Sequence, residues 1–344
     1  MVNLGEVVVL CRYLPDPTKS SGELRFWQIL RLLEARSRTV TVFAEHPGAP
    51  PLPSLEVRPM EDLRRLERAD LAFLEFWFMG RYIHRLRRRG IPVVLDSVDV
   101  EFVRREREKR VLGITGNYHH LERRREIAAY RAADQVWAVS EDDAARIDRY
   151  CPRLVVVPNI LAGTKRLPTF RRRAGVCFVG SYAHLPNVVA LRWYRDAILP
   201  RVADLSHAFV GNAAPPDVAR LPGFVGGVDV SAAYVETARV SIAPLRYGAG
   251  LKGKVLEAMA CGTPVVTTPI GDEGYAAGRS RAAIVTDDPR EFADAVRRLS
   301  TDEVLWKRMS RRGRDLAARF SPERAGATID AALDEVVGTA RAAG

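Results

Sequence analysis

Short apolar runs recur along this chain, separated by stretches whose apolar residues fall at helical spacing. Residues 6–11 form the first apolar run, 21–34 have the spacing of a helix, and 39–43 alternate as a strand. Further buried strands are expected at 71–74 and 91–95, with an arginine-rich helix over 81–89 between them. Helices follow at 101–111 and 120–132, then strands at 135–139 and 154–157. Ser140, followed by Glu141, Asp142 and Asp143, suits a helix start. Over 160–174 the pattern lapses into Gly163, Pro168 and an arginine triplet, which reads as a linker between domains. A second block of the same kind then begins at 176–179 and continues with strands at 208–210, 223–225, 240–243, 265–267 and 283–285. The last helices are expected over 302–319 and 322–337.

Strand and helix signals that alternate in this way imply a parallel sheet with helices on both faces. The expected fold class is therefore α/β, with two doubly wound parallel sheets in successive domains. No period of 20 to 50 residues repeats, which sets a solenoid aside.

The 344 residues suffice for two domains with separate cores, and 47% hydrophobic with 28% charged residues describes a soluble globular chain. No apolar run reaches the length of a membrane span. Residues 1–11 enter a strand directly, without the basic-then-apolar layout of a signal peptide, and a cytoplasmic location is expected. Cys11, Cys151, Cys177 and Cys261 are widely spaced and read as buried thiols in a reducing compartment. The net charge of +11 is spread along the chain, with no basic tail or stripe. Arg87–Arg89, Arg123–Arg125 and Arg171–Arg173 read as solvated faces, or as contacts with the head groups of an anionic membrane. Nucleic-acid binding is not expected, because aromatic and basic residues do not interleave as in a recognition sheet.

Residues 243–273 carry the densest chemistry: APLRYGAGLKGKVLEAMACGTPVVTTPIGDE. A strand end leads into a loop where Gly248, Gly250 and Gly253 mingle with Arg246, Lys252 and Lys254, and a helix with Glu257 follows. Glycines allow close backbone approach, a helix N-terminus favours an anion, and each charged hydrogen bond adds roughly 1.5–3 kcal/mol. These donors fit a nucleotide diphosphate better than a carboxylate. Gly248, Gly250 and Gly253 match G-x-G-x-x-G, although late in the chain for a nicotinamide-binding βαβ unit. The residues from Gly248 to Lys254 match most of a P-loop, but Val255 stands where its hydroxyl should be. A tight surface turn with solvated cations is the plain alternative.

The segment RYGAGLKGKVLEAMACGTPVVTT with the following GDEG resembles the donor site of GT-B glycosyltransferases, in the large retaining, nucleotide-sugar-dependent group (family 4-like, group 1). The resemblance implies two Rossmann-like domains facing across a cleft: an acceptor-binding domain over 1–165 and a nucleotide-sugar-binding domain over 166–320. A C-terminal helix in 321–344 would pack back on the first domain. It implies sugar transfer from a nucleotide diphosphate to an acceptor hydroxyl with retention, without metal or other cofactor. The acceptor would be a glycan, a lipid-linked sugar or a small molecule, and many relatives work at membranes. A sugar-nucleotide-binding protein of the same fold without turnover is the other reading.

In the family the helix glutamate binds the ribose, and Glu257 holds that place. The pattern's other glutamate, eight residues earlier, is Ala249 here. The donor set implied is Gly22, Arg25, Gly180, His184, Asn187, Phe224, Arg246, Gly250, Leu251, Lys252, Lys254 and Glu257. Relatives carry an arginine and a lysine after the first strand of the second domain, where this chain offers only His184. The diphosphate clamp is therefore assigned to Arg246 and Lys252, with Lys254 third. Phe224 is a base contact or plain core, and Gly22 follows a βα turn that Ser20 or Ser21 can cap. Asp99, or else Glu101, is the candidate for orienting or deprotonating the acceptor, and Asp99 is equally a candidate N-cap.

Overall fold

The computed structural model describes residues 4–115, 119–161, 169–228 and 232–343, so residues 162–168 of the expected linker lie outside it. The chain divides into two compact units, one of Met1–Ile160 with Pro322–Gly344 and the other of Leu161–Ser321.

The first unit opens with β1 (Leu4–Tyr13), α1 (Ser21–Arg36), β2 (Ser37–His46) and β3 (Glu56–Pro59). It continues with β4 (Leu71–Glu75), α2 (Ile83–Arg87), β5 (Val93–Asp96), α3 (Glu101–Leu112) and α4 (His120–Ala132). Last before the second unit come β6 (Gln135–Ala138), α5 (Glu141–Ile147) and β7 (Leu154–Val156). All seven strands are parallel, in the order β3-β2-β1-β4-β5-β6-β7. Val7, Val8, Val9 and Leu10 are fully buried, as a central strand covered on both faces requires. The order reverses between β1 and β4, so the carboxyl ends of these strands flank a crevice of the doubly wound type.

Two elements depart from expectation, and a third agrees with it. β3 has no apolar run, because it lies at the sheet edge with an exposed Glu56 and a terminal proline. The expected helix over 81–89 is a 3₁₀ stretch, Trp77–Tyr82, followed by the short α2, whose Ile83 and Leu86 turn inward. The helix start expected at Ser140 is present, its hydroxyl accepting from Asp143 N at 3.1 Å.

The second unit contains β8 (Val176–Val179), α6 (Leu185–Trp193), β9 (His207–Val210), α7 (Pro216–Ala219), β10 (Phe224–Gly226) and α8 (Ala232–Thr237). Then come β11 (Val240–Ala243), α9 (Gly253–Ala260), β12 (Val265–Thr267), α10 (Pro269–Asp272), β13 (Ala283–Val285), α11 (Pro289–Thr301) and α12 (Glu303–Ala317). Its six parallel strands run β10-β9-β8-β11-β12-β13, with the reversal between β8 and β11.

Arg173 corrects the reading of its triplet as a solvated face. It is 1% exposed, donates to the Cys261 carbonyl at 2.6 Å, and lies over the Trp306 ring at 5.2 Å. This arginine is a strut inside the second unit.

The last helix, α13 (Pro322–Ala343), belongs to the first unit. Ile329, Leu333, Val336 and Val337 join the core formed by Ile29, Leu30 and Leu33 of α1. Arg36 ties the same helices together through Asp330 and, at 2.7 Å, Asp334.

Candidate functional site

In the second unit β8 and β11 are neighbours in register, Val240 opposite Val176, so the loops after both strands leave the sheet at its switch point. After β11, Gly250 has φ +66, a left-handed position that favours glycine. A Cβ on Gly248 would stand 3.2 Å from Lys252 Cε, so that glycine lets the lysine stem fold over the loop. The chain then enters α9 at Gly253, and no side chain caps its N-terminus. A helix start without a side-chain cap suits an anion.

The three cations of this loop serve different partners. Lys254 Nζ donates to Asn187 Oδ1 at 2.6 Å and lies 5.0 Å from the centre of the Phe178 ring. A Cβ on Gly180 would come within 3.1 Å of that ammonium, so the β8–α6 loop has room for it only because Gly180 has no side chain. Lys252 donates to the Gly250 carbonyl and lies 3.8 Å from Glu273. Arg246 stacks on Trp193 with its guanidinium carbon 4.6 Å from the ring centre. Lys254 is thus the cation brought to Gly180 and Asn187, while the expected clamp pair, Arg246 and Lys252, meets Trp193 and Glu273.

Burial lowers the Lys254 pKa to about 8, with Lys252 adding to the fall and Glu257 opposing it. Glu257 is pushed up by its own burial and held back by Lys254. The two groups lie one helical turn apart, and each opposes the shift that burial gives the other. Burial at this point penalises charge unless an ionic ligand arrives to share it.

The remaining predicted donor residues are less alike. His184 is exposed at the N-cap of α6, where its carbonyl accepts from Asn187 N at 3.0 Å. Leu251 is half-buried beside the α9 cluster. Phe224 packs against Tyr182 with ring centres 5.9 Å apart, so it serves the apolar cluster while remaining partly exposed.

In the first unit, Gly22 lies in the first turn of α1, which Ser20 caps by accepting from Glu23 N at 3.2 Å. Arg25 corrects the sequence reading. It is 1% exposed, its guanidinium is paired with Asp96, and it donates to the Val157 carbonyl at 2.8 Å. It ties α1 to β5 and the end of β7, and its position is that of a structural tether rather than a donor ligand.

The acidic residues at and just beyond the end of β5, Asp96, Asp99 and Glu101, serve different partners. Asp96 serves Arg25, while Glu101 pairs with Arg104 and with Arg105 at 2.6 Å. Asp99 lies 3.7 Å from Arg104 and does not cap α3, whose N-cap is Val100. The backbone N–H groups of Glu101 and Phe102 donate instead to Glu126 of α4, each at 2.9 Å, and Tyr130 adds a third bond at 2.7 Å. Burial still raises Glu126 to about 7 against those three bonds.

Sequence reasoning passed over Glu75, which closes β4 directly opposite Asp96. Burial pushes it up to about 8, and the Asp96 charge adds to this while Arg25 pulls the other way. One guanidinium between two carboxyls neutralises only one of them. The signal available was the lone acid ending the buried run LAFLE. Backbone strain sits on both sides, with Phe76 at φ 71 and the β-branched Val98 at φ 57.

The family described as Glycosyl transferases group 1 matches residues 173–302, which is most of the second unit. Among curated proteins none matches the chain. Solved structures share its fold over nearly the full length. Sucrose-phosphate synthase from Thermosynechococcus elongatus has a TM-score of 0.70 at 16% identity, covering 97% of this chain and 99% of the other. WaaG, a glycosyltransferase involved in lipopolysaccharide biosynthesis, gives 0.67 at 16% identity, with 96% and 100% covered. Anabaena HepE in complex with UDP and glucose gives 0.69 at 13% identity, with 96% and 99% covered. No helix among the described residues is long and apolar enough to cross a membrane.

Proposed function

We propose that this group 1 glycosyltransferase of GT-B fold moves a sugar from a nucleotide diphosphate to an acceptor hydroxyl, with retention and without a metal. The observation that carries the reading is the meeting of Lys254, Asn187 and Gly180 at the switch point of the second sheet, one turn before Glu257. Related folds with UDP bound, such as HepE, support a nucleotide sugar as the donor.

Lys254 and Lys252 hold the diphosphate with the N-terminal end of α9 and the Gly250 loop, and Arg246 reinforces the charge. Glu257 accepts from the ribose hydroxyls. In the transfer step the bond from the anomeric carbon to the phosphate oxygen breaks, and a bond to the acceptor oxygen forms on the same face. The acceptor proton passes to the departing phosphate oxygen. The protein's share is to stabilise charge growing on the nucleotide, which preorganised cations do well away from water. Asp99 remains the candidate for orienting the acceptor, because it stands three residues past the carboxyl end of β5, where ligands of parallel sheets sit. Exposed arginines on α2 and α4 favour a cytoplasmic enzyme that meets an anionic membrane peripherally.

Ala249, in place of the glutamate that relatives direct at the donor sugar, favours a second reading as a sugar-nucleotide binder without turnover. Two measurements decide. A thermal-shift series with UDP, GDP, ADP, CDP and dTDP should show about 2.7 kcal/mol of stabilisation at 100 times the dissociation constant. If none of them stabilises the chain, the donor site is wrong. Release of nucleoside diphosphate from the matching nucleotide sugar then separates an enzyme from a binder.

A further inference from the structure

Tyr182, in the loop between β8 and α6, is 3% exposed, and its hydroxyl has no hydrogen-bond partner among the described residues. The ring itself is firmly placed. It stacks on Phe178 with centres 6.2 Å apart and leans on Phe224 at 5.9 Å, while its backbone N–H donates to the Asn212 carbonyl at 3.0 Å. A Cβ on Gly211 would lie 2.8 Å from Tyr182 Cε2, so the residue just beyond β9 has no room for a side chain. The hydroxyl is carried by the carbon next to Cε2, which puts it beside Gly211 at the carboxyl end of β9. Buried polar groups are nearly always paired, and an orphan calls for a missing partner.

Glycines mark this end of the sheet beyond Gly211. Gly226 leaves β10 at φ 85 with its carbonyl accepting from Gly211 N at 2.8 Å, and a Cβ on Gly211 would collide with the Gly180 carbonyl beyond β8. Close backbone approach therefore continues from β8 through β9 to β10, on the side of the switch point away from β11. A diphosphate anchored at Lys254 directs its nucleoside along one side of the sheet or the other, and on this side the stack of Phe178, Tyr182 and Phe224 carries one orphan hydroxyl.

We infer that the Tyr182 hydroxyl reads the polar edge of the donor's nucleobase, and so helps to set which base the protein accepts. This rests on the nucleotide-sugar reading above. A phenol both donates and accepts, so it can meet a carbonyl or a ring N–H on that edge, while Phe224 and Phe178 fix the ring in one plane. A hydroxyl left empty until ligand arrives adds discrimination, because a base lacking the matching group leaves it buried and unpaired.

Tyr182→Phe tests this without changing shape. Melting and titration calorimetry on the full chain would compare variant and wild type with the five nucleoside diphosphates and with inorganic pyrophosphate. Without ligand the variant should melt at the wild-type temperature or above it, because an unsatisfied group has gone. Affinity for the preferred diphosphate should fall about three- to tenfold, the spread between bases should narrow, and pyrophosphate binding should stay the same. An affinity within twofold of wild type overturns the inference, with a resident water as the partner. A lower melting temperature with equal losses for pyrophosphate also overturns it, and marks the hydroxyl as structural. If wild type itself binds none of the five, the underlying nucleotide reading fails, and that result is distinct because it needs no variant.

Discussion

The two sheets have the same plan and treat charge at their carboxyl ends in opposite ways. In the first unit the cations there are spent inside the protein: Arg25 is locked to Asp96, and Arg104 and Arg105 close on Glu101. In the second unit the half-buried Lys254 leans on a neutral amide and an aromatic ring, and burial raises the pKa of its neighbour Glu257. A charge compensated within the fold holds elements together, whereas a partly compensated one favours an incoming ion. The contrast separates side chains of the same type into those spent within the fold and those proposed to bind.

Substitution of Arg25 offers the largest way to break that comparison. Arg25→Ala should destabilise the chain by about 3–5 kcal/mol, because Asp96 is left buried without its partner. Its position predicts no direct effect on nucleoside diphosphate affinity at temperatures where the variant is folded. Urea unfolding alongside calorimetric titration checks both halves, and a normal stability with lost binding would return Arg25 to the donor site.

Lys254→Ala should behave in reverse. Stability should change little or rise, while diphosphate affinity drops about 10- to 100-fold, as for one charged hydrogen bond. Free nucleoside binding should remain. The protonated amine is the binding form and its pKa in the empty site is about 8, so wild-type affinity should fall as pH rises past 8 and hold steady below it. The variant should lose that dependence between pH 7 and about pH 9.5. Glu257→Ala comes next, with nucleoside diphosphate weakened about tenfold and pyrophosphate nearly unaffected. Equal losses for the two ligands would remove the ribose assignment.

Glu126 gives the smallest effect and sharpens the comparison on the structural side. Its pKa in the fold, about 7, is above the ordinary 4.5, so its contribution to stability is complete below pH 4.5 and is lost as pH rises through 7. Denaturant midpoints between pH 5 and 8 should show a decline on the order of 1–2 kcal/mol from this group, absent in Glu126→Gln.

The residues explain what could be read from sequence and what could not. Strands such as Val7–Leu10 announce themselves because a parallel strand buried on both faces must be apolar throughout. Edge strand β3 needs no such run and stayed hidden. The glycine-cation loop after β11 was legible because its glycines, cations and carboxylate lie within one short segment. The rank of its cations was not, since Arg246 is placed by Trp193 and Lys254 by Asn187, both far away in the chain. Likewise Asp99 is adjacent to α3 in sequence, yet the cap comes from Glu126 on another helix. Long-range pairing of this kind leaves no local trace.

Under the proposed sugar transfer, Lys254 resting on an amide has one more consequence, for the release of product. Once the sugar has gone, the nucleotide carries an extra ionisable phosphate oxygen, and a cradle suited to growing negative charge grips that species harder than the intact donor. Departure of the spent nucleotide would then be the slow event, and its accumulation would throttle the protein before the donor ran out.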